Sequence, residues 1–255
     1  MKPFFTKHSR ALALGAACLG LSFSAAADGH LAKAVANPDR PADEVARDAG
    51  RKPAEVLAFF GVEPSMTIYE HAASGGYYTA VLSDAVGADG TVHAQISQRF
   101  WDRIGDKAGP RHKALGNVKT HIGQITDFKG YDGTVDMVFV SLIFHHLHYN
   151  ETTGDSVPDA SKSFYAAAMK MLKPGGIFAI IEHQAPDGTP RADSAGWHRA
   201  ALENAVTDLT GAGYEYVGHS DALANPDDPQ NVPFRALTTG RDTSQRFVAK
   251  FRKPS

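Results

Sequence analysis

The fold is decided by residues 66–82, whose sequence is MTIYEHAASGGYYTAVL. Residues Met66 to His71 include β-branched and aromatic side chains that predict a short strand, and small residues interrupt the pattern from Ala72 to Gly76. From about Tyr77 the apolar residues recur at helical spacing. This strand, turn and helix form a geometry that cradles nucleotide-like ligands, because small residues admit the ligand and the helix N-terminus presents free N–H groups.

Strand and helix signals alternate on both sides of this stretch. The segment from Val135 to Leu142 is almost continuously apolar, which is typical of a strand buried on both faces of a parallel sheet. We therefore predict a doubly wound α/β fold, with a mostly parallel seven-stranded sheet and a closing antiparallel hairpin. The other predicted strands are Thr67–His71, Thr91–Ile96, Val118–Ile122, Ile177–Ile181, Tyr214–Ser220 and Gln245–Phe251. The predicted later helices are Ala160–Leu172, which stops sharply at residues 173–176, and Ala195–Thr210.

The composition is that of an ordinary globular protein. The chain has 255 residues, of which 43% are hydrophobic and 21% charged, enough for one α/β domain with a sizeable core. The formal net charge is −2, so no basic surplus points to nucleic acid.

Residues 1–27 have the layout of a secretory signal peptide. Three basic residues precede an apolar run at residues 11–23, and small residues lead to a predicted cleavage after Ala27. The run is short for a transmembrane helix, so we expect no stable membrane anchor after cleavage. A lipid anchor at Cys18 is the disfavoured alternative, because no branched apolar residue precedes that cysteine at the required spacing. Cleavage would remove the only cysteine, leaving neither a disulfide nor thiol chemistry.

Residues 28–65 are predicted to be a lead-in and cap helices, followed by the main domain at residues 66–255. Residues 28–40 form a polar lead-in, and helices are expected at Ala42–Ala49 and Pro53–Phe60. These helices either close over the ligand or cap the sheet edge.

The opening stretch resembles the first motif of class I S-adenosylmethionine (SAM) dependent methyltransferases. It is closer still to a family of exported "predicted methyltransferases", whose motif runs roughly V-E-I-W-P-G-G-G-W-Y-T. The matching residues are Glu70, Gly75, Gly76, Tyr78 and Thr79. Further similar segments are LKPGG (172–176), IEHQAP (181–186), SDALANPDDP (220–229) and RFVAKFRKP (246–254), so the resemblance spans roughly residues 40–254. It implies the class I fold, SAM as cofactor and a small-molecule substrate.

The resemblance also assigns candidate cofactor residues at the strand ends. Glu70 would orient the loop and the methionine end of SAM, or only brace the loop. Gln95 stands where an acid commonly holds the ribose hydroxyls, and Gln124 where an Asp commonly receives the adenine amino group, with Asp127 as a nearby alternative. The full set of candidate cofactor residues is Glu70, Ala72, Ser74, Gly75, Gly76, Gln95, Gln124 and Ser141.

The fourth strand is followed by FHHLHYN, residues 144–150, with three histidines in four residues. His145 aligns with a histidine of the family and is our candidate acid/base residue, because neutral imidazole accepts a proton near pH 7. Metal binding with help from His183 or His198, and a packed histidine without a role, are the alternatives; we assign no metal ligand. His183, at the end of the next predicted strand, is the second candidate catalytic residue, or a loop-bracing one.

The leading functional hypothesis is SAM-dependent methyl transfer to a small molecule. The rival is a non-catalytic ligand-binding protein on a methyltransferase scaffold. Two features favour the rival: the loop has lost glycines, and an exported protein leaves the compartment in which SAM is made. A histidine–metal hydrolase is the least favoured alternative. In the long loop 221–243, Asn225, Asp227 and Asp228 either steer the substrate or make Asx turns, which we favour.

Overall fold

The central sheet is the one the sequence predicts. The computed structural model describes residues 25–149 and 155–255. Its strands are β1 Thr67–His71, β2 Thr91–Ile96, β3 Val118–Ile122, β4 Val135–Ser141, β5 Leu172–His183, β6 Glu215–Ser220 and β7 Arg246–Arg252. Their spatial order is β3-β2-β1-β4-β5-β7-β6. Strands β1 to β5 pair in parallel and β7 is antiparallel to both β5 and β6, which confirms the predicted fold class.

Helices cover both faces of this sheet. They are α1 Ala25–Val35, α2 Ala42–Val45, α3 Asp48–Arg51, α4 Pro53–Phe60, α5 Tyr77–Val86, α6 Gln98–Ala114, α7 Asp159–Met171, α8 Arg191–Gly196 and α9 Leu202–Gly211. Helix α5 begins at Tyr77, as predicted, directly after the small-residue turn. Its N-terminus therefore faces the loop after β1.

Two apolar clusters, one on each face of the sheet, hold the helices in place. Met137 and Phe139 of β4 join the cluster with α1, α4 and α5, whereas Val138 and Val140 join the cluster with α7 and α9. All four side chains are fully buried. Because side chains alternate between the faces of a strand, a strand apolar at every position is covered on both sides. Removing one such side chain, as in Phe139→Ala, typically costs about 3–5 kcal/mol.

Two predictions for the first 60 residues are wrong. The polar lead-in belongs largely to helix α1, whose Leu31 and Ala34 pack in the same cluster as α4 and α5. The helix expected at 42–49 is divided into α2 and α3. Asp48 begins α3 because its carboxylate accepts hydrogen bonds from Arg40 and from the Tyr77 hydroxyl, contacts that a continuous helix pattern does not include.

The helix expected at 195–210 is also divided, into α8 and α9. Between them, His198 has a left-handed φ of 55°, which a helix does not accommodate. Arg199 is fully buried and turns inward to Asp228. A contact between residues far apart in the chain thus overrides the local helical preference.

Helix α7 ends at Met171, close to the predicted stop, but β5 begins at once. Leu172 pairs with Val135, and a bulge follows before Met137 pairs with Ile177. Residues 173–176 are therefore part of the strand and not a loop before it.

Most of the predicted signal peptide, residues 1–24, lies outside the described residues. Cleavage after Ala27 would keep the core residues Leu31 and Ala34 in the mature chain. Within the described ranges, no helix is long and apolar enough to cross a membrane.

Candidate active site

The carboxyl ends of the parallel strands meet along one edge of the sheet. Glu70 of β1 is in register with Phe139 of β4, and Ser141 of β4 with Ile181 of β5. Doubly wound folds bind their ligands at this edge. The segments that follow β1, β2, β4 and β5 therefore border the candidate site.

The loop after β1, residues 72–76, keeps a glycine-like backbone although it has lost glycines. Ala72 and Ser74 have φ values of 53° and 56°, and Gly76 has 87°. Non-glycine residues rarely adopt this conformation, which costs about 1–3 kcal/mol and occurs preferentially at ligand sites. Gly75 is not left-handed, and a Cβ placed on it would meet no atom within 4 Å. The loop is therefore curved, with open space beside Gly75.

Gln95, the candidate ribose contact, connects two loops of the site. Its Oε1 accepts a hydrogen bond from Ala72 N at 2.9 Å, and its Nε2 donates to Gly123 O at 2.6 Å. The side chain is 1% exposed. The amide thus already has backbone partners on both the β1 loop and the β3 loop.

Glu70 lies buried under the loop. Its Oε2 accepts a hydrogen bond from the Thr79 hydroxyl at 2.6 Å, which joins β1 to α5. Burial raises the pKa of Glu70 to about 8, against the opposing effects of Thr79 and the Arg111 charge. Near pH 7 the carboxyl is therefore mostly protonated, and the observed contact is the loop-bracing one.

A residue that the sequence did not suggest, Arg111 of α6, connects the cap helices to the loop. Its guanidinium forms a bidentate pair with Glu44 of α2 at 2.6 and 2.7 Å, and Nη1 also donates to Gly75 O at 2.6 Å. No local sequence pattern relates these positions. The contact shows that a cap helix reaches the candidate ligand loop.

The two remaining candidate cofactor residues lie at other strand ends. Gln124 follows β3 at an exposed position, where its backbone N–H bonds the Asp127 carboxylate at 2.7 Å. Ser141 is partly buried at the last position of β4. Both lie at the carboxyl edge of the sheet.

His145 is paired with Glu182, which the sequence analysis did not assign to the site. Glu182 Oε2 accepts from both the backbone N and ring Nδ1 of His145 at 3.0 Å, and Glu182 Oε1 accepts from His183 N at 2.7 Å. Burial favours the neutral acid, but the His145 ring and these N–H donors outweigh it and lower the pKa of Glu182. Glu182 is thus a buried carboxylate that fixes the His145 ring, with Nδ1 as the protonated nitrogen.

The other ring nitrogen of His145 faces His198, from the segment between α8 and α9. The distance between His145 Nε2 and His198 Nδ1 is 3.3 Å. A ring nitrogen of His146 completes a set of three within 4.8 Å of one another, which we call the histidine triplet (His145, His146, His198). Desolvation and the two neighbouring rings lower the pKa of His146 to about 4. Since His146 also affects the pKa of His71, the triplet lies near the end of β1.

The other two histidines of the sequence hypotheses point elsewhere. His148 is buried, with Nε2 2.8 Å from Asp208. His183 bonds the Ser244 hydroxyl at 2.6 Å and stacks on Phe234, with ring centroids 3.9 Å apart. Burial lowers the pKa of His183 to about 3, so its arrangement favours the loop-bracing alternative.

The long loop 221–243 is held by a buried ion pair. Arg199 donates to both Asp228 oxygens at 2.8 and 2.9 Å, and Asp228 also accepts from Gln245 N at 2.6 Å. Asn225 Oδ1 accepts from Asp227 N, which is the favoured Asx-turn contact. Asp228 therefore has a structural partner, and it fixes the segment that carries His198.

Comparison with known families agrees with the geometry of this edge. A family model described as a methyltransferase domain matches residues 70–180, from the end of β1 into β5. The match covers less than half of the chain, which over these residues is similar to that family. This similarity agrees with the methyltransferase resemblance described for the sequence. The chain is also 24% identical over 151 residues to phosphoethanolamine N-methyltransferase 1 of Caenorhabditis elegans. That match covers 59% of this chain and 29% of the relative, so the chain spans under a third of that protein.

Solved structures, including one of a SAM-dependent methyltransferase, share the fold. A SAM-dependent methyltransferase from Aquifex aeolicus superposes with a TM-score of 0.58 at 20% identity, covering 88% of this chain and 97% of the other. The [4+2]-cyclase SpnF superposes with a TM-score of 0.55 at 15% identity, covering 81% of each chain. At these identities the similarity shows the fold, which hosts more than one chemistry.

Proposed function

We propose that this protein is a SAM-dependent methyltransferase acting on an oxygen or nitrogen atom of a small molecule. The observation that carries the proposal is the left-handed backbone at Ala72, Ser74 and Gly76, which forms a cradle at the end of β1 in a class I sheet. The absence of a basic surplus argues against nucleic acid as substrate. The Caenorhabditis elegans relative, named for N-methylation of phosphoethanolamine, also supports a small acceptor.

The residues of the site fit SAM at the loop. The space beside Gly75 is open, and the buried Nδ1 of His71, at the end of β1, has no hydrogen-bond partner. Loop 72–76 would hold the methionine part, and the exposed Gln124 would accept from the adenine amino group. The ribose hydroxyls would have no acid, because an amide stands at position 95 and is bonded to two backbone groups.

Bound SAM would supply the electrophilic methyl group. When methyl is transferred to a neutral oxygen or nitrogen, that atom must lose a proton. We assign Nε2 of His145 as the base that accepts this proton. Glu182 suits this role by accepting from Nδ1, since it orients the ring and stabilises the imidazolium that forms. His198 faces the same nitrogen and must make room for the acceptor.

The test is turnover of His145→Ala with labelled SAM and a screen of small phenols, amines and thiols. General-base catalysis contributes about 10²–10⁴-fold, so turnover should fall by at least about 10² while SAM affinity stays within a few-fold. His219→Ala, an exposed histidine on β6, is the matched control. Unchanged turnover in His145→Ala would exclude it as the base. Joint loss of SAM binding and thermal stability would show that His145 only packs.

A second candidate function is ligand binding without methyl transfer. It is favoured by Gln95, whose amide is occupied by the two loops where an acid usually holds the ribose. Titration with SAM and S-adenosylhomocysteine separates the two functions. Absence of binding at about 1 mM SAM or S-adenosylhomocysteine would favour this second function.

Export is part of the proposal, because residues 1–27 have the charged, apolar, small-residue order of a signal peptide. Intact-mass analysis of the secreted or periplasmic fraction should find a chain that begins at Asp28 or within a residue or two. A full-length cytoplasmic product would contradict export.

A further inference from the structure

The geometry points to a binding site for one divalent transition-metal ion, such as Zn²⁺, formed by the histidine triplet. Imidazole nitrogen is a preferred ligand of zinc, cobalt, nickel and copper ions. Two of the rings come from the short helical turn after β4, and the third from the segment between α8 and α9. In the sequence His145 and His146 stand beside His148, and His183 or His198 is the suggested helper. The fold selects His198 and pairs His148 with Asp208 instead.

The first argument is distance. Zinc–nitrogen bonds are about 2.0–2.1 Å long, so two nitrogens on a tetrahedral ion lie about 3.3 Å apart. The separation between His145 Nε2 and His198 Nδ1 is 3.3 Å, and the nitrogen of His146 completes the set within 4.8 Å. The three rings are mutual neighbours, with centroids 4.6, 5.2 and 6.0 Å apart. Small side-chain rotations would thus bring all three to one ion.

The second argument is the support behind His145. Metal-bound histidines usually donate their other N–H to a carboxylate, a backbone carbonyl or water, which fixes the ring and raises its basicity. Glu182 provides this contact at 3.0 Å from Nδ1, and it is itself held by the His183 N–H. Nε2 is then the nitrogen with the free lone pair. A buried anion behind the triplet also partly balances the charge of an ion.

The third argument is preorganisation of His198. Its φ of 55° is strained for a non-glycine residue, and such strain is concentrated at functional sites. The next residue, Arg199, is buried and anchored to Asp228, which prevents the segment from relaxing. The exposed Arg235 is a nearby positive charge, which disfavours a cation at the triplet.

The histidine triplet would leave one coordination position of the ion open. Three protein ligands leave one position for water or substrate, and His146 is exposed at the surface of the site. This last step rests on the proposed function: an acceptor hydroxyl at the fourth position would lose its proton to solvent more readily, because the ion lowers its pKa. The lone pair of His145 Nε2 binds either a proton or the ion, but not both. With the ion bound, the acceptor hydroxyl would be activated by the ion and not by the imidazole as a base.

The test is metal binding by the chelator-treated full protein, without SAM or acceptor. Zn²⁺ titration against a competing indicator should give one ion per chain, and Co²⁺ should give the visible absorption of a tetrahedral nitrogen site. His146→Ala and His198→Ala should each weaken Zn²⁺ binding by at least about 100-fold, and Glu182→Gln by about 10–100-fold. His219→Ala is the control and should leave the affinity unchanged. Circular dichroism checks that each variant is folded. His146→Ala should disturb the fold least, because His146 is exposed.

Lack of saturable Zn²⁺ binding below about 1 mM would overturn the inference. So would equal affinities in His146→Ala, His198→Ala and His219→Ala, because the ion would then lie elsewhere. Since neither measurement uses a methyl donor, failure here leaves the methyl-transfer proposal standing. Conversely, a protein that binds Zn²⁺ but not SAM would lose only the proposed function.

Discussion

Glu70 should make the stability of the protein fall as the pH rises. The residue is 4% exposed, and burial raises the pKa of its carboxyl from 4.5 to about 8. Between these values the folded protein keeps a proton that the unfolded chain has lost, so unfolding releases a proton and becomes more favourable with increasing pH. The difference of about 3.5 pH units corresponds to about 5 kcal/mol, at about 1.4 kcal/mol per unit.

Glu70→Gln isolates this contribution, because the amide oxygen still accepts from the Thr79 hydroxyl but does not titrate. Urea unfolding of both proteins from about pH 5 to about pH 9 gives the free energies of unfolding. The advantage of the variant should grow by about 1.4 kcal/mol per pH unit up to about pH 8 and then level off. The test depends on how the difference in the free energy of unfolding changes with pH. Its absolute value is less informative, because burying the new NH₂ group changes the stability by the same amount at every pH. Glu55→Gln, at an exposed position of α4, is the control.

Parallel curves for native protein and Glu70→Gln would refute this reasoning. They would mean that Glu70 is ionised in the folded protein. A fixed carboxylate beside the methionine end of SAM would then be the better interpretation of Glu70, in place of a neutral brace.

Three further predictions concern the loops of the site. Asp228→Asn leaves the buried Arg199 guanidinium without its anion, so urea unfolding should show that the free energy of unfolding falls by about 3–5 kcal/mol. The control Asp227→Asn, at an exposed position, should change it little. A decrease below about 1 kcal/mol for Asp228→Asn would show that the pair is dispensable. Gly75→Val should fold normally, because its Cβ meets no atom, yet abolish S-adenosylhomocysteine binding. Gly76→Val, at φ 87°, should lose stability as well, by about 1–3 kcal/mol. Unchanged binding by Gly75→Val would place the cofactor elsewhere.

The sequence by itself determined the sheet and the position of the ligand loop. The strand at residues 67–71, the turn after it and the helix from Tyr77 are where the pattern predicts them. The apolar run beginning at Val135 identified the central strand, because only a strand covered on both faces is apolar at every position. These signals are local, so they can be read without knowing what packs against them.

The sequence also placed candidate residues at the correct strand ends but did not settle their partners. Glu182 was not assigned to the site, and His198 was only one of two possible helpers of His145; they are 37 and 53 residues away from it in the chain. Similarly, the glycine-like curvature at Ala72 and Ser74 is invisible in side chains that normally avoid it. Such contacts and strained torsions are imposed by packing.

The helix breaks illustrate what only the tertiary structure decided. Residues 195–210 have helical spacing throughout, yet Arg199 leaves the helix to pair with Asp228, 29 residues away. A buried guanidinium without its carboxylate would cost about 3–5 kcal/mol. The helix break costs little in backbone hydrogen bonds, because the N–H groups of residues 197–200 all keep carbonyl partners. The Arg199–Asp228 pair therefore outweighs the local helical propensity. The resulting break in the helix brings His198 beside His145.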